Sequence, residues 1–283
     1  MEINLNNKDL INLDNIDLNY EDITEISLYK NKMELVPKEI LYMKNLKNLN
    51  ISANRLLEVN KEVFKLENLD ELDLGHNNIK NIPNNIGDLK NLENYLYIHN
   101  NNIEELPEEI CNLSKLKYLN ISNNLIKKLP NNIGKLINLI EFKLNNNNIN
   151  FIQDSFTNLY KLKYVNFSNN KLCFLPDSIG NLEELRVLDA SNNKIKELPN
   201  SIERCKKLRS INLRNNELSN LPQQIGELHS LIEIDLRDNN LNKLPKVLLD
   251  LPILEKVDLR WNRNLNDIKM IKSLEDKGCV VYI

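Results

Sequence analysis

Few residues in this chain can do chemistry of their own. Three histidines, His76, His99 and His229, and four cysteines, Cys111, Cys173, Cys205 and Cys279, are the candidates for metal ligation or nucleophilic attack. A zinc or redox centre needs such groups at short spacings, C-x-x-C or H-x-x-x-H, so that one turn or helix face gathers two ligands. Here the cysteines are scattered, and only His76 and His99 invite pairing, with no carboxylate or thiol spaced to complete the set. Neither a G-x-x-x-x-G-K-[ST] phosphate loop nor a G-x-G-x-x-G dinucleotide turn occurs. No catalytic group, metal or cofactor is therefore expected. Asn50-Ile51-Ser52, Asn112-Leu113-Ser114, Asn120-Ile121-Ser122 and Asn166-Phe167-Ser168 match the glycosylation pattern and are read as chance in an asparagine-rich chain.

The remaining chemistry is that of recognition. Tyr95, Tyr97, His99 and Tyr118 fall close together, with Tyr164 further on. Aromatic rings with polar tips anchor interfaces, although they also support one another as cross-strand pairs. A second set runs Arg214, Arg237 and Arg260, with Asp235 and Asp258 two residues before the latter pair and Trp261 beside the last arginine. Arginine and tryptophan are interface anchors too, and the same alternation of charge suits a solvated ion-pair network.

What must position these residues is a repeat. The template L-x-x-L-x-L-x-x-N-x-L-x-x-L-P-x-x-I-x-x-L-x-x recurs, marked by Asn31, Asn54, Asn77, Asn101, Asn124, Asn147, Asn170, Asn193, Asn216, Asn239 and Asn262. Their spacing is 23 residues throughout, except for 24 between Asn77 and Asn101. In Leu116-Lys117-Tyr118-Leu119-Asn120-Ile121 the apolar residues alternate, the period of a strand. The asparagine then turns into the core, where its amide can satisfy backbone groups as an internal ladder. The Leu129-Pro130-Asn131-Asn132-Ile133 half has three-residue apolar spacing and predicts 3-10 or short helix. The expected fold is α/β: a solenoid with about eleven parallel strands on its concave side and short helical turns on its convex side. The third, fifth, seventh and eighth template positions then form the concave face, which places both candidate patches on it.

Departures from the template carry expectations of their own. Val59-Asn60 and Ile152-Gln153 stand where Leu-Pro is expected, and the additional residue before Tyr95 suggests a bulge or a neutral insertion in a turn. Gly87, Gly134, Gly180 and Gly226 share one repeat position and are read as structural. Residues 1–22 and 263–283 look like imperfect turns serving as caps around the repeats and last strand at 23–262, in a single domain of 1–283.

The motif Leu221-Pro222-Gln223-Gln224-Ile225-Gly226, at its 23-residue period, resembles the typical, or Ras-group, leucine-rich repeat. That resemblance implies a horseshoe fold and protein recognition through the concave face. The proline column, Pro37, Pro83, Pro107, Pro130, Pro176, Pro199, Pro222 and Pro245, separates it from the phosphatase-regulator type of repeat.

With 37 basic and 40 acidic residues and a formal charge of −3, the chain has no global attraction to nucleic acid or membrane phosphate. Scattered cysteines without C-x-x-C spacing and the polar first residues favour the cytoplasm. The expected function is a monomeric, non-catalytic scaffold or adaptor for a protein partner, in intracellular signalling, with no small-molecule substrate. Alternatives are a regulatory subunit of a small-GTPase pathway or a phosphatase, and a secreted receptor-like or effector protein.

Overall fold

The computed structural model describes every residue except Asn15. The backbone divides into two compact units, Met1–Lys143 and Leu144–Ile283. In the first, seven three-residue strands lie parallel in chain order: β1 (Glu2–Asn4), β2 (Glu25–Ser27), β3 (Asn48–Asn50), β4 (Glu71–Asp73), β5 (Tyr95–Tyr97), β6 (Tyr118–Asn120) and β7 (Glu141–Lys143). In the second, six do the same: β8 (Tyr164–Asn166), β9 (Val187–Asp189), β10 (Ser210–Asn212), β11 (Glu233–Asp235), β12 (Lys256–Asp258) and β13 (Val280–Tyr282). Among the described residues there are thus thirteen strands, two more than the asparagine count predicts.

Both additional strands come from the caps, which are more than imperfect turns. β1 adds to β2, and Leu5 N–H continues the pairing by donating to Ser27 O at 2.9 Å. At the other end β13 adds to β12, and the helix α1 (Ile268–Asp276) buries Met270 and Leu274 against the last turns. Neither cap carries the full template, so its periodicity gave no strand signal; pairing with the neighbouring repeat supplies the order instead.

Within each repeat the central strand residue points inward and is fully buried, as at Leu49, Leu72, Leu96, Leu188 and Ile211, while its neighbours are half-buried or exposed, apart from Asp258 on β12. Three residues after the strand the backbone turns through the left-handed region. Lys30, Ala53, His76, Asn100, Asn123, Asn146, Asn169, Asn192, Asn215, Asp238 and Trp261 all have φ between 51° and 65°. Asparagine and aspartate tolerate that conformation better than other side-chain-bearing residues, which accounts for the predominance of asparagine here.

The template asparagine follows and ties adjacent turns together. Asn239 is representative: its Nδ2 donates to the carbonyls of Leu213 at 2.9 Å and Leu236 at 3.0 Å, and its Oδ1 accepts from Leu218 N–H at 3.0 Å. Backbone groups that the turn would bury unpaired are satisfied in this way. In the first unit Asn77 does the same for Ile51 and Leu74 carbonyls and for Leu56 N–H.

The other half of each repeat is a 3-10 turn, as at Lys38–Tyr42 and Gln223–Glu227. Proline precedes most of these, but Asn60 (φ −60°) and Gln153 (φ −72°) hold the same backbone angle, so the turn forms without it. The residue at one position of this turn alternates in size. Past Leu41, it runs Phe64, Gly87, Cys111, Gly134 in the first unit and Thr157, Gly180, Glu203, Gly226, Leu249 in the second. A Cβ on Gly87 would lie 2.6 Å from Glu109 O, and one on Gly180 would lie 2.1 Å from Ser201 O. Glycine is required there because the next turn's backbone packs directly against it. The apolar core runs between the two halves, with Phe64 and Phe142 fully buried in the first unit and Phe156 and Phe167 in the second.

The additional residue of the fourth repeat makes no bulge in the strand. β4 and β5 pair in step, Glu71 opposite Tyr95. The extra length is taken up just before β5, where Asp70 accepts from the N–H groups of Glu93 and Asn94 at 3.2 Å and from Asn94 Nδ2 at 2.7 Å.

Candidate functional site

In the first unit β5 carries Tyr95 and Tyr97 on the solvent face, and their rings stack at 4.5 Å with 22° between planes. Tyr97 meets His99 edge to face at 6.0 Å, and His99 meets His76 in the same way at 4.9 Å. Tyr118, on β6, is the register partner of Tyr95. Tyr95, Tyr97, His99 and Tyr118 are half-buried, with His76 exposed beside them; Tyr164, on β8 of the second unit, is 39% exposed.

The His99 ring lies over Gly75, where a Cβ would come within 2.4 Å of it. Gly75 is the residue here that sequence reasoning passed over; the available signal was a glycine at a sheet-facing template position rather than in the outer turn. The fit leaves His99 Nδ1 buried with no hydrogen-bond partner. Burial first, then the proximity of His76 and Lys143, lowers the His99 pKa below its ordinary 6.5, against an opposing pull from Asp73. Burial likewise pushes the Asp73 carboxyl and the Tyr95 and Tyr97 hydroxyls up, with Glu71 adding to the effect at Tyr95. Each of these shifts favours the uncharged form of the group concerned.

A testable consequence follows from the His99 environment. A histidine whose folded pKa is depressed binds its proton more readily in the unfolded chain, so stability present above about pH 6.5 is lost as pH falls toward the folded value. Urea unfolding at pH 7.5 and 5.5 should show a larger acid loss for the natural chain than for His99→Gln. Equal losses would mean that His99 titrates normally.

In the second unit the three arginines are not equivalent. Arg237 Nε donates to Asp235 Oδ1 at 2.9 Å and lies 3.4 Å from Asp258 Oδ2. Arg260 donates to both oxygens of Asp258, at 3.0 and 2.6 Å. Asp258 is 3% exposed; burial alone would raise its pKa, but the hydrogen bonds from Arg260 and the charge of Arg237 outweigh burial and hold it below the usual carboxylate value. Arg214 has Asn212 where the others have aspartate, and among the described residues no carboxylate bridges it. Its guanidinium lies 5.6 Å from the Trp261 ring centroid, and that of Arg260 lies 5.8 Å from it. Arg260 also reaches Tyr282 of the cap at 5.3 Å, a contact invisible in the template because Tyr282 lies outside it.

Along β9 to β12 the face holds a shallow depression of about 270 Å³, lined by Asp189, Ser210, Asn212, Glu233 and Lys256 among others. Among the described residues no three His, Cys, Asp or Glu side chains gather as a metal group, and no helix is long and apolar enough to cross a membrane. All four cysteines are free thiols; Cys111 and Cys205 are buried, which pushes each up to about 12, so neither is a nucleophile near neutral pH.

Comparison with known proteins gives matches by family and by fold. The profile described as "Leucine rich repeat" matches residues 44–94, 137–195 and 206–263, more than half of the chain, and related profiles match 94–113, 115–136 and 183–224. No curated protein matches by sequence. Among solved structures, a leucine-rich-repeat protein of Leptospira interrogans is 29% identical over 93% of this chain and 79% of its own, with a TM-score of 0.67. An internalin, InlF, of Listeria monocytogenes is 22% identical over 93% and 80%, with a TM-score of 0.71. A structure described as a TDR receptor is 29% identical over 86% of this chain, with a TM-score of 0.78, and this chain spans 43% of its length.

Proposed function

Because the chain belongs to the leucine-rich-repeat family, whose fold is in general a non-catalytic scaffold for protein interaction, we propose that it is an intracellular adaptor binding one protein partner on the solvent face of its sheet. One observation carries the reading: the face groups aromatic and arginine side chains, with Tyr95, Tyr97, His99 and Tyr118 on or just after the adjacent strands β5 and β6 in the first unit, and Arg214, Arg260 and Trp261 just after β10 and β12 in the second. Such residues dominate binding energy when a partner covers them. The four free thiols support a reducing compartment, and the Leu-Pro column supports the typical, Ras-group kind of repeat in one continuous domain.

The test is affinity capture of the natural partner with the intact chain and with Tyr97→Ala/Tyr118→Ala. Capture is expected to fall at least about tenfold, the loss of one anchor of about 1.4 kcal/mol or more, while thermal unfolding moves little. Undiminished capture would remove this face from the reading. Arg237 and Arg260 make a poorer test pair than their column position suggests. Both hold the buried Asp258, so removing them strands a carboxylate and lowers stability as well as binding.

A further inference from the structure

Trp261 occupies a position that its side chain disfavours. In every other repeat the left-handed residue is Lys, Ala, His, Asn or Asp, and six of the eleven are Asn. Trp261 has the most extreme φ of the set, +65°, and no side chain of its kind gains local hydrogen bonds there. Nor does burial compensate, since the residue is 57% exposed. Trp261 is also the chain's only tryptophan. A strained, exposed indole is retained against the stability of its own turn, which directs attention to what it contacts.

It contacts Arg214 and Arg260. Arg260 spends its donors on Asp258, and Arg237 spends its own on Asp235 and Asp258, so two carboxylates answer two of the three guanidiniums. Arg214 is left over. Beside the indole, a guanidinium keeps an edge of N–H donors free, and such an edge matches a carboxylate with two parallel bonds. Ser191, Asn212 and Asn215 beside it are uncharged, Arg237 follows it in the same column, and Asp189 on the preceding repeat with Glu233, Asp235 and Asp238 on the next would repel a diffuse polyanion. The complement is one well-placed carboxylate with an apolar neighbour to lie on the ring.

We propose that Arg214 and Trp261 form a receptor for an acidic side chain of an extended peptide segment, the aspartate or glutamate pairing with Arg214 while an adjacent apolar residue covers the indole. This assignment rests on the scaffold reading above and names the partner chemistry at one of its two patches.

The sole tryptophan reports directly on the site. The intact chain is titrated with an end-blocked hexapeptide containing one glutamate beside a leucine, and with the same peptide carrying glutamine, while indole fluorescence and calorimetric heat are followed. A saturable response is expected for the glutamate peptide, weakened at least about tenfold by Arg214→Met and not restored by Arg214→Lys, which cannot bind bidentately. Trp261→Asn is expected to lose the calorimetric signal yet raise the melting temperature, a combination that a purely structural tryptophan would not give. Equal binding of the two peptides, an equal response to inorganic phosphate, or unchanged affinity in Arg214→Met each overturns the proposal. If the peptide fails to bind while Tyr97→Ala/Tyr118→Ala still abolishes partner capture, the scaffold reading stands and this inference alone falls.

Discussion

Asn239→Ala is expected to destabilise the chain by about 2 to 5 kcal/mol, measured by urea unfolding. The substitution removes donors from the carbonyls of Leu213 and Leu236, a weaker one at 3.2 Å from Arg237 O, and the acceptor for Leu218 N–H. Each buried group left unsatisfied costs about 1 to 3 kcal/mol, reduced where water enters or the turn relaxes. Asn239→Asp should be no better, because a carboxylate faces the same carbonyls with nothing to donate. A loss below about 1 kcal/mol would show that water replaces the amide at little cost.

Gly180→Val is the second large effect, expected at about 3 kcal/mol or more and visible as a fall in melting temperature. The new Cβ would sit 2.1 Å from Ser201 O and 2.9 Å from Ser201 C. That obstacle is backbone of the neighbouring turn, which cannot rotate away as a side chain would, so the turns must part. Gly75→Ala is the informative contrast, since its new Cβ would meet the His99 ring instead. There the expected change is a displaced imidazole and a smaller stability loss. If Gly180→Val melts with the natural chain, close packing between these turns is not what requires glycine at this position.

These two cases also show what the amino-acid order makes legible. The asparagine column can be read directly, because one residue type recurs where buried backbone needs both a donor and an acceptor. The glycine column can be read as structural, but its alternation with Cys111, Thr157 and Glu203 has meaning only once the distance to the adjacent turn is known. The patches were readable as columns of side chains and not as networks. Periodicity places Arg214, Arg237 and Arg260 on one face, yet it does not show that Asp258 is buried and claimed twice, leaving Arg214 unclaimed. Similarly, the residue before Tyr95 is visible as an insertion, while the Asp70 carboxylate that holds it acts across the stack. β1, β13 and α1 escaped because their order is imposed by the repeat each packs against.

The paired asparagines bear on how such a molecule ages. An asparagine loses its amide when the next residue's backbone nitrogen attacks the side-chain carbonyl carbon, and this chain has many Asn-Asn steps exposed to that reaction. At three of these steps that nitrogen is engaged in the folded state: Asn101 N–H donates to Asn123 O, Asn193 N–H to Asn215 O and Asn216 N–H to Asp238 O, at 3.1 to 3.2 Å. The following asparagine's amide is pinned as well, by carbonyls on two turns. The bonds that hold the turns together therefore also slow chemical decay, and the clock runs mainly during excursions in which a repeat opens.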